Sequence, residues 1–339
     1  MTVIRLQVLG GYPRSRYVRR LLRDAERGEA SYGQLALSLI KASAAVIGAQ
    51  LSAGMDVVVD GMLDWHDIFR PFASSWRNVT PSALLRYFDN NFFYRIPLFT
   101  GEPEPTYPVL APRVRELASL AEPAKLKVVV PGPVTFARMS ENRAGVSVEE
   151  LAEAIARLLA DEVRAASEAG AGFIQIDEPY LTDPDATRDD AELAAELASR
   201  IASSAPGSES MIALYFYPVK SEVYGILREA KVDFIMVDAV AGGGRALEAV
   251  VSKGGGVKGV ALGVIDSRSI YPDKYDDVRR LVERVVGGLK GDLEQVILTT
   301  STWMDLIPYR YSLVKTRLLG VYTEKLSTDL NLTYGGLGA

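Results

Sequence analysis

Two adjacent carboxylates, Asp177 and Glu178, directly follow the apolar segment Gly172–Ile176. Successive residues at the end of a strand point to opposite sides, so one carboxylate can serve a ligand while the other serves the scaffold. A carboxylate in this position can bind a substrate ammonium group, act as a base, or pair structurally with Arg268. Both residues are therefore candidate catalytic residues.

A cluster of arginines lies near the start of the chain, although the chain as a whole is acidic, with a net charge of −5. Its members are Arg14, Arg16, Arg19, Arg20 and Arg23. Guanidinium groups form paired hydrogen bonds with carboxylates, so the cluster suits the tail of a polyanionic ligand. A solvated helix face, paired with Asp24, Glu26 and Glu29, explains the same pattern equally well.

The elements that must position these residues are short apolar, β-branched segments that alternate with helical patterns. We predict eight strands, at Val3–Leu9, Met55–Val59, Leu126–Val130, Gly172–Ile176, Met211–Phe216, Val232–Val237, Val257–Val264 and Gln295–Thr299. The clearest helix begins after Ser147, where Ser147 and Glu150 have the spacing of a capping box. Further helices are expected near residues 33–52, 191–203, 221–229, 246–252, 275–289 and 311–326.

Eight strand–helix units predict an α/β fold, a single (β/α)8 barrel over residues 1–339. The alternative is an open doubly wound sheet, but no G-x-G-x-x-G motif follows an early strand. A long aromatic insertion, at about residues 61–125, follows the second strand. We expect it to cover the C-terminal mouth of the barrel, or else to form a packed subdomain or an oligomer contact. The Gly-rich tail, about 331–339, is expected to be frayed.

The residues that follow the strands of a barrel meet at one mouth. Candidate binding residues at these ends are Gly11, Tyr12, Arg14, Asp60, His66, Tyr215, Tyr217, Asp238, Arg268, Ser301 and Trp303. His66 and the aromatic residues are explained as well by packing as by function. A carboxylate pair for glycoside hydrolysis, drawn from Asp60, Asp177 and Asp238, is an alternative that their spacing does not require.

The composition excludes several classes of site. The chain has no cysteine and one histidine, which excludes disulfides, iron–sulfur clusters, a cysteine nucleophile and a multi-histidine metal site. We therefore expect no metal bound by this chain. An acidic net charge argues against nucleic-acid binding, and no uninterrupted apolar run approaches the ~20 residues of a membrane span. We expect a cytoplasmic protein, without a signal peptide, whose low content of Cys, Asn and Gln suits a hot environment.

Eight segments, in order along nearly the whole chain, carry a resemblance to a known family. They are LGGYPRSRYVRRLLRDAERGE, AGMDVVVDGMLDWHD, PGPVTF, IQIDEPYL, ALYFYPV, IMVDAV, ALGVIDSRSIY and LTTSTWMDLIPY. Together they resemble cobalamin-independent methionine synthase, an enzyme with two related barrels of the methionine synthase/uroporphyrinogen decarboxylase-like type. Its C-terminal barrel binds zinc and homocysteine. The present chain is similar to the N-terminal barrel, which has no zinc site.

The resemblance implies that zinc chemistry belongs to another chain. The catalytic barrel of the family holds zinc with a histidine, two cysteines and a glutamate, and Met62 stands where its second-strand segment has an acidic residue. The corresponding positions here hold Tyr215, Tyr217, Asp238, and Ser301 or Thr302. These residues cannot form a tetrahedral zinc site with nitrogen and sulfur ligands.

The resemblance also implies a methyl donor. In the family, basic residues of the first helix of the N-terminal barrel help to hold the polyglutamate tail of methyltetrahydrofolate. The matching positions here are about Arg19 to Arg23, where Leu22 or Arg23 replaces an expected lysine, so a related pterin is a second candidate donor. The implied role is methyl transfer to homocysteine, as the donor-binding partner of a separate zinc-bearing barrel. The alternatives are a zinc-independent enzyme using Asp177 and Glu178, and a non-catalytic stabilising subunit.

Overall fold

The computed structural model describes residues 2–88, 90–289 and 293–334. The strands are β1 (Val3–Leu6), β2 (Val57–Val59), β3 (Trp76–Arg86), β4 (Phe93–Pro105), β5 (Lys125–Pro131), β6 (Glu141–Asn142), β7 (Phe173–Asp177), β8 (Glu209–Leu214), β9 (Phe234–Asp238), β10 (Gly259–Ile265), β11 (Gln295–Thr300) and β12 (Thr333–Tyr334). The helices are α1 (Arg16–Glu26), α2 (Tyr32–Leu51), α3 (Arg70–Ser75), α4 (Ala111–Ala121), α5 (Pro133–Arg138), α6 (Val148–Glu168), α7 (Arg188–Ser203), α8 (Ser221–Leu227), α9 (Ala246–Lys253), α10 (Tyr275–Gly288) and α11 (Tyr309–Asp329).

Eight of these strands form a parallel barrel, in the order β1-β11-β10-β9-β8-β7-β5-β2. The barrel closes between β1 and β2, where Gln7 forms a parallel bridge with Val57. Asp56 supports this closure, because its carboxylate accepts a hydrogen bond from the Leu6 amide (2.8 Å) and its own amide donates to the Leu6 carbonyl (3.1 Å). The prediction of a (β/α)8 barrel is confirmed, and the open doubly wound sheet is wrong.

The predicted strand segments and helices agree with the structure to within a few residues. The strands are buried on both faces, which explains their continuous apolar sequences. At the start of α6, the Ser147 hydroxyl accepts from the Glu150 amide (3.0 Å), and the Glu150 carboxylate accepts from the Ser147 amide (2.8 Å). Sequence analysis did not predict the elements of the long second connection, because their pairing and packing are not periodic in the chain.

That connection contains α3, an antiparallel hairpin of β3 and β4, and the barrel helix α4. The tip of the hairpin lies over the C-terminal mouth, where the Tyr87 and Phe88 rings lie 5.6 and 5.2 Å from the Phe216 ring. Its base packs on the barrel through Trp76, which stacks on Phe136 with ring centroids 5.5 Å apart. The hairpin therefore supplies aromatic side chains to the mouth from outside the barrel wall.

The prediction of a frayed tail requires a correction. Thr333 and Tyr334 are not frayed, because β12 pairs with Val3 and Ile4 of β1. Residues 335–339 of the predicted frayed tail lie outside the described residues.

Helix α2 is long and apolar enough to cross a membrane, by length and composition only, and 28% of its most apolar stretch is buried in the protein. It is the one such helix among the described residues, and a single helix of this kind is weak evidence for a membrane span, because core helices of soluble proteins can have the same length and composition.

Candidate functional site

An aromatic pocket lies at the C-terminal mouth, between the barrel and the hairpin. It is lined by His66, Asp67, Ile68, Tyr87, Phe92, Phe93, Tyr94, Tyr215, Phe216, Trp303 and Asp305. Its volume is about 30 Å³, which is room for one or two water molecules. The rings themselves therefore fill most of the mouth in this conformation.

Asp177 lies beneath this pocket and is fully buried. Its Oδ2 accepts hydrogen bonds from the Tyr215 hydroxyl (2.8 Å) and from Trp303 Nε1 (2.9 Å), and its Oδ1 accepts one from Gln175 (2.7 Å). Burial raises the pKa of Asp177 to about 6, although these hydrogen bonds oppose the rise. Asp177 thus positions two aromatic side chains that line the pocket. The possibility that Asp177 pairs structurally with Arg268 is wrong.

A buried lysine on β5, Lys127, supports Asp177 from below. Its ammonium group lies within hydrogen-bond distance of four oxygens, those of Gln7 (2.9 Å), Val8 (2.6 Å), Leu9 (3.0 Å) and Gln175 (2.8 Å). Burial lowers the pKa of Lys127 to about 7, and the charge of Asp177 opposes this change. Sequence analysis missed Lys127; its one signal is a charged residue inside the apolar strand KLKVVV.

Glu178 faces away from the pocket and binds the start of α5. Its carboxylate accepts hydrogen bonds from the amides of Val134 (3.1 Å) and Thr135 (2.8 Å) and from the Thr135 hydroxyl (2.6 Å). Burial raises the pKa of Glu178 to about 7, and these hydrogen bonds oppose the rise. Gly132 leaves room for this contact, because a Cβ there would lie 2.0 Å from Glu178 Cδ. Its surroundings are those of a scaffold residue.

Asp238 and Arg268 come together, as an ion pair between the ends of β9 and β10. Arg268 Nη1 lies 3.0 Å from Asp238 Oδ2, and the amides of Val240 and Ala241 donate to Asp238 Oδ1. Burial raises the pKa of Asp238 to about 6, while the charge of Arg268 opposes the rise. The pair stabilises the backbone next to Phe216, whose carbonyl lies 3.5 Å from Arg268 Nη1.

Other predicted residues build the scaffold of the mouth. The Tyr12 and Thr316 hydroxyls are 2.7 Å apart, and the Ser301 hydroxyl accepts from the Ser267 amide (3.1 Å). Gly11 lies against Trp303, because a Cβ there would be 3.2 Å from the indole ring. These contacts join the ends of β1, β10 and β11 and fix the orientation of the indole.

Two predicted residues lie outside the aromatic pocket. Tyr217 is next to the hairpin, with its ring 6.2 Å from that of Phe88. Asp60 lines a separate cavity of about 290 Å³ between the barrel wall and α4, where Arg113 binds Asp64 at 3.2 Å. Asp60 directly follows the end of β2, and its Oδ1 accepts a hydrogen bond from the Met62 amide (2.9 Å). The glycosidase alternative loses one of its three carboxylates in this way.

Asp305 is a pocket residue that sequence analysis missed. It follows β11 in a short 3-10 turn, Met304–Leu306, and burial raises its pKa to about 7, although its backbone hydrogen bond and the charge of Arg14 oppose the rise. Its Oδ1 is buried and accepts no hydrogen bond from the residues that the structure describes. Its signal in the sequence is a carboxylate near the end of the eighth strand.

The arginines of α1 form a groove of about 500 Å³ beside the mouth. It is lined by Arg14, Arg16, Arg19, Leu22, Arg23, Glu26 and His66. Within the described chain, no ion pair involves Arg16, Arg19 or Arg23. Arg20 does not line the groove; its side chain is 78% exposed and lies 3.6 Å from Asp24.

His66 and Arg14 connect the two regions. His66 lines both the aromatic pocket and the groove, and burial together with the charges of Arg14 and Arg70 lowers its pKa, which favours the neutral imidazole. The Arg14 guanidinium donates to the carbonyls of Leu63 (2.6 Å) and Trp65, so it is fixed by the backbone. The aromatic pocket and the groove therefore share His66 as a lining residue.

The side chains that the resemblance places at the positions of the family's zinc ligands are bound to other residues of the protein. Tyr215 binds Asp177, Asp238 pairs with Arg268, and Ser301 binds Ser267. None supplies the thiolate or imidazole that such a site uses. Among the described residues, no three His, Cys, Asp or Glu side chains come together as a metal site.

Comparison with known proteins agrees with the barrel and its sequence motifs. Residues 60–289 match the sequence model of the family described as "Cobalamin-independent synthase, N-terminal domain". A 5-methyltetrahydropteroyltriglutamate–homocysteine methyltransferase of Thermotoga petrophila is 25% identical over 312 residues, which are 88% of this chain and 42% of the relative. A methionine synthase of Sulfurisphaera tokodaii is 28% identical over 181 residues, 53% of each chain.

Solved structures show the same fold. One of them is a B12-independent methionine synthase from Shewanella sp. W3-18-1 in complex with selenomethionine. It aligns with a TM-score of 0.78 at 17% identity, over 96% of this chain and 98% of that one. A putative B12-independent methionine synthase from Listeria monocytogenes gives 0.71 at 15% identity, over 95% and 96%. The chain spans less than half the length of the Thermotoga relative. With the match covering most of its length, the chain belongs to the cobalamin-independent methionine synthase family and corresponds to the N-terminal domain of that family.

Proposed function

We propose that this chain binds the methyl donor for methionine synthesis and acts with a separate zinc-bearing barrel that binds homocysteine. The donor is methyltetrahydrofolate or a related pterin with an acidic tail. The proposal extends to this chain the reaction named for its relatives, of which only a part is matched here, 42% of the Thermotoga protein and 53% of the Sulfurisphaera protein. We further propose that the protein is cytoplasmic and that the chain itself binds no zinc.

The observation that carries the proposal is that His66 lines both the aromatic pocket and the arginine groove, so the two lie side by side. Flat heterocycles stack on aromatic side chains, and guanidinium groups bind carboxylates. A pterin with a polyglutamate tail has both features in one molecule. Arg16, Arg19 and Arg23 support the tail end, because none of them forms an ion pair within the described residues, although Glu26 also lines the groove.

The alternative of a zinc-independent enzyme using Asp177 and Glu178 has weaker support. Both carboxylates are fully buried, and each accepts three hydrogen bonds from the protein. A general base needs a free lone pair within reach of its substrate. A non-catalytic stabilising subunit would not need an open cationic groove beside the mouth.

The test compares methyltetrahydrofolate with one and with three glutamates by calorimetry. Replacing Arg19 and Arg23 together with alanine should weaken binding of the triglutamate about ten- to a hundredfold, since two charge-assisted contacts contribute on the order of 0.5–1.5 kcal/mol each. The monoglutamate should lose much less. High salt should reduce the difference between the two ligands, because exposed charges are screened over ~8–10 Å.

The matched control is Arg20→Ala, which removes an arginine of the same helix that lies outside the groove. It should leave both affinities unchanged within about twofold, because exposed pairs of this kind contribute little. Equal losses for both ligands in the double variant, or no loss for either, would exclude the groove as the tail site. Methionine formation by the isolated chain, without a partner, would favour the zinc-independent enzyme.

A further inference from the structure

The cavity between the barrel wall and α4 is separate from the C-terminal mouth. Its volume is about 290 Å³, close to the lower end of the ~300–1,000 Å³ that small-molecule sites have. It shares no lining residue with the aromatic pocket or with the arginine groove. The function proposed above makes no use of this cavity, so a ligand bound there is a second one.

The cavity has a buried apolar floor and an exposed rim. Val59 of β2, Leu126 of β5 and Leu117 of α4 line it and are buried. Ala36 of α2 and Pro112 of α4 line it and are exposed, so the cavity reaches the surface between these two helices. The space for a small molecule is therefore already present in this conformation.

The charged side chains of the cavity leave one carboxylate without a cation. Arg113 Nη2 lies 3.2 Å from Asp64 Oδ2, and its Nε lies 3.9 Å from Glu116 Oε2, so two carboxylates share this guanidinium. Lys127 also lines the cavity, but four oxygens of other residues hold its ammonium group. Asp60 forms no ion pair within the described residues. The cavity therefore carries an excess of negative charge.

The backbone uses one oxygen of Asp60 and leaves the other. The side chain is half-buried and lines the cavity. Its Oδ1 accepts from the Met62 amide (2.9 Å), whereas its Oδ2 accepts no hydrogen bond from the described residues. Burial, together with the charge of Asp64, raises the pKa of Asp60, although Arg113 and backbone hydrogen bonds oppose the rise. A cation bound at Oδ2 would offset the cost of withdrawing this carboxylate from water.

The walls and the carboxylate together define the class of ligand. Apolar side chains favour a hydrocarbon body, and a carboxylate binds an ammonium group through charge-assisted hydrogen bonds. We infer that this cavity binds a protonated amine with an apolar body, whose ammonium group donates to Asp60 Oδ2. The excess of carboxylates disfavours an anion in the same place.

The test measures binding of four small probes to the whole chain at pH 7.5 by calorimetry. Hexylamine, hexan-1-ol and hexanoate share a six-carbon chain and differ in the charge of the head group. Hexylamine should bind at least about tenfold more tightly than hexan-1-ol, because an ion pair in a partly enclosed site is stronger than a neutral contact, and hexanoate should bind most weakly of these three. Methylamine, which has no chain to bury, should bind at least about tenfold more weakly than hexylamine. Hexylamine binding no tighter than that of hexan-1-ol or of methylamine would overturn the inference.

The variant Asp60→Asn keeps the oxygen that accepts from the Met62 amide and removes the charge. It should weaken hexylamine binding about tenfold or more and change hexan-1-ol binding by less than about twofold. The matched control is Asp277→Asn, which makes the same change at an exposed position of α10 outside the cavity and should keep the wild-type affinities. Equal hexylamine affinities in Asp60→Asn and Asp277→Asn would contradict the assigned contact.

A third variant, Ala36→Phe, places a ring at the rim and tests whether the chain of the ligand occupies the cavity. Because the ring narrows the opening, hexylamine and hexan-1-ol should both bind more weakly than to the wild-type protein. Near-UV circular dichroism and urea melts establish that the three variants are folded. Wild-type affinities for both probes in Ala36→Phe would place the ligand outside the cavity, and the inference would be wrong.

Discussion

Glu209, at the N-terminal end of the barrel, and two carboxylates of the C-terminal mouth have pKa values shifted in opposite directions. At the N-terminal end, Glu209 contacts Arg5 (3.0 Å), Lys125 (2.9 Å) and Lys258 (3.5 Å); burial acts to raise its pKa, but the hydrogen bonds and charges of Arg5 and Lys125 lower it to about 2. At the C-terminal mouth, burial raises the pKa of Asp177 to about 6 and that of Asp305 to about 7.

The difference between these carboxylates distinguishes a cluster in which ion pairs stabilise the fold from a mouth in which one carboxylate oxygen has no donor among the described residues. Around Glu209 the charges neutralise one another within the protein, so removing this carboxylate leaves Arg5 and Lys125 without it. Carboxylates at the mouth face rings and hydrogen-bond donors, and Asp305 keeps an oxygen without a donor among the described residues. Barrel enzymes generally place function at the C-terminal end and stability at the other.

The largest effect should come from Glu209→Gln, which breaks the cluster at the N-terminal end. Its removal leaves Arg5 and Lys125 without their shared carboxylate, so we expect a loss of about 2–4 kcal/mol in the free energy of unfolding. Because the pKa of Glu209 is lowered on folding, its stabilisation is present above about pH 4.5 and is lost as the pH falls toward 2. Urea melts at pH 7 and pH 3 measure this; equal losses at both would contradict the ionic explanation.

A smaller loss of stability should follow Asp177→Asn, which tests the hydrogen bonds at the mouth. The asparagine keeps one acceptor but presents an amide to the Tyr215 hydroxyl and the indole of Trp303, so one buried donor loses its partner. We expect a loss of about 1–3 kcal/mol, with changed near-UV circular dichroism from the tryptophan. A variant with wild-type stability and spectrum would show that Asp177 does not position these rings.

The smallest effect, and the opposite in sign, should come from Asp305→Asn. Since burial raises the pKa of Asp305 to about 7, ionisation of this side chain weakens the folded state as the pH rises from about 4 to 7. The variant should therefore melt a few degrees higher than wild type at pH 8 and at the same temperature near pH 4. The comparison is Asp67→Asn, which should melt lower at both pH values because its carboxylate is saturated.

Much of the barrel could be predicted because its signals are local. Continuous apolar strands, the capping box of Ser147 and Glu150, and the order of strand and helix all lie within short stretches of chain. The mouth could be located for the same reason, since its residues directly follow the strands. The hairpin was missed because its strands pair through contacts with each other and with the barrel, which no short segment contains.

The sequence by itself determined the strand–helix alternation, the placement of polar residues at the strand ends, the concentration of arginines in α1, and the absence of cysteine. Tertiary structure decided which of these residues share a site. Both oxygens of Asp177 accept hydrogen bonds, one of them from Trp303, 126 positions away, whereas Asp60 lines a separate cavity beside α4. The physical reason is that burial and hydrogen bonding depend on distances between strands, so only the closed barrel distinguishes a saturated carboxylate from one with a free oxygen.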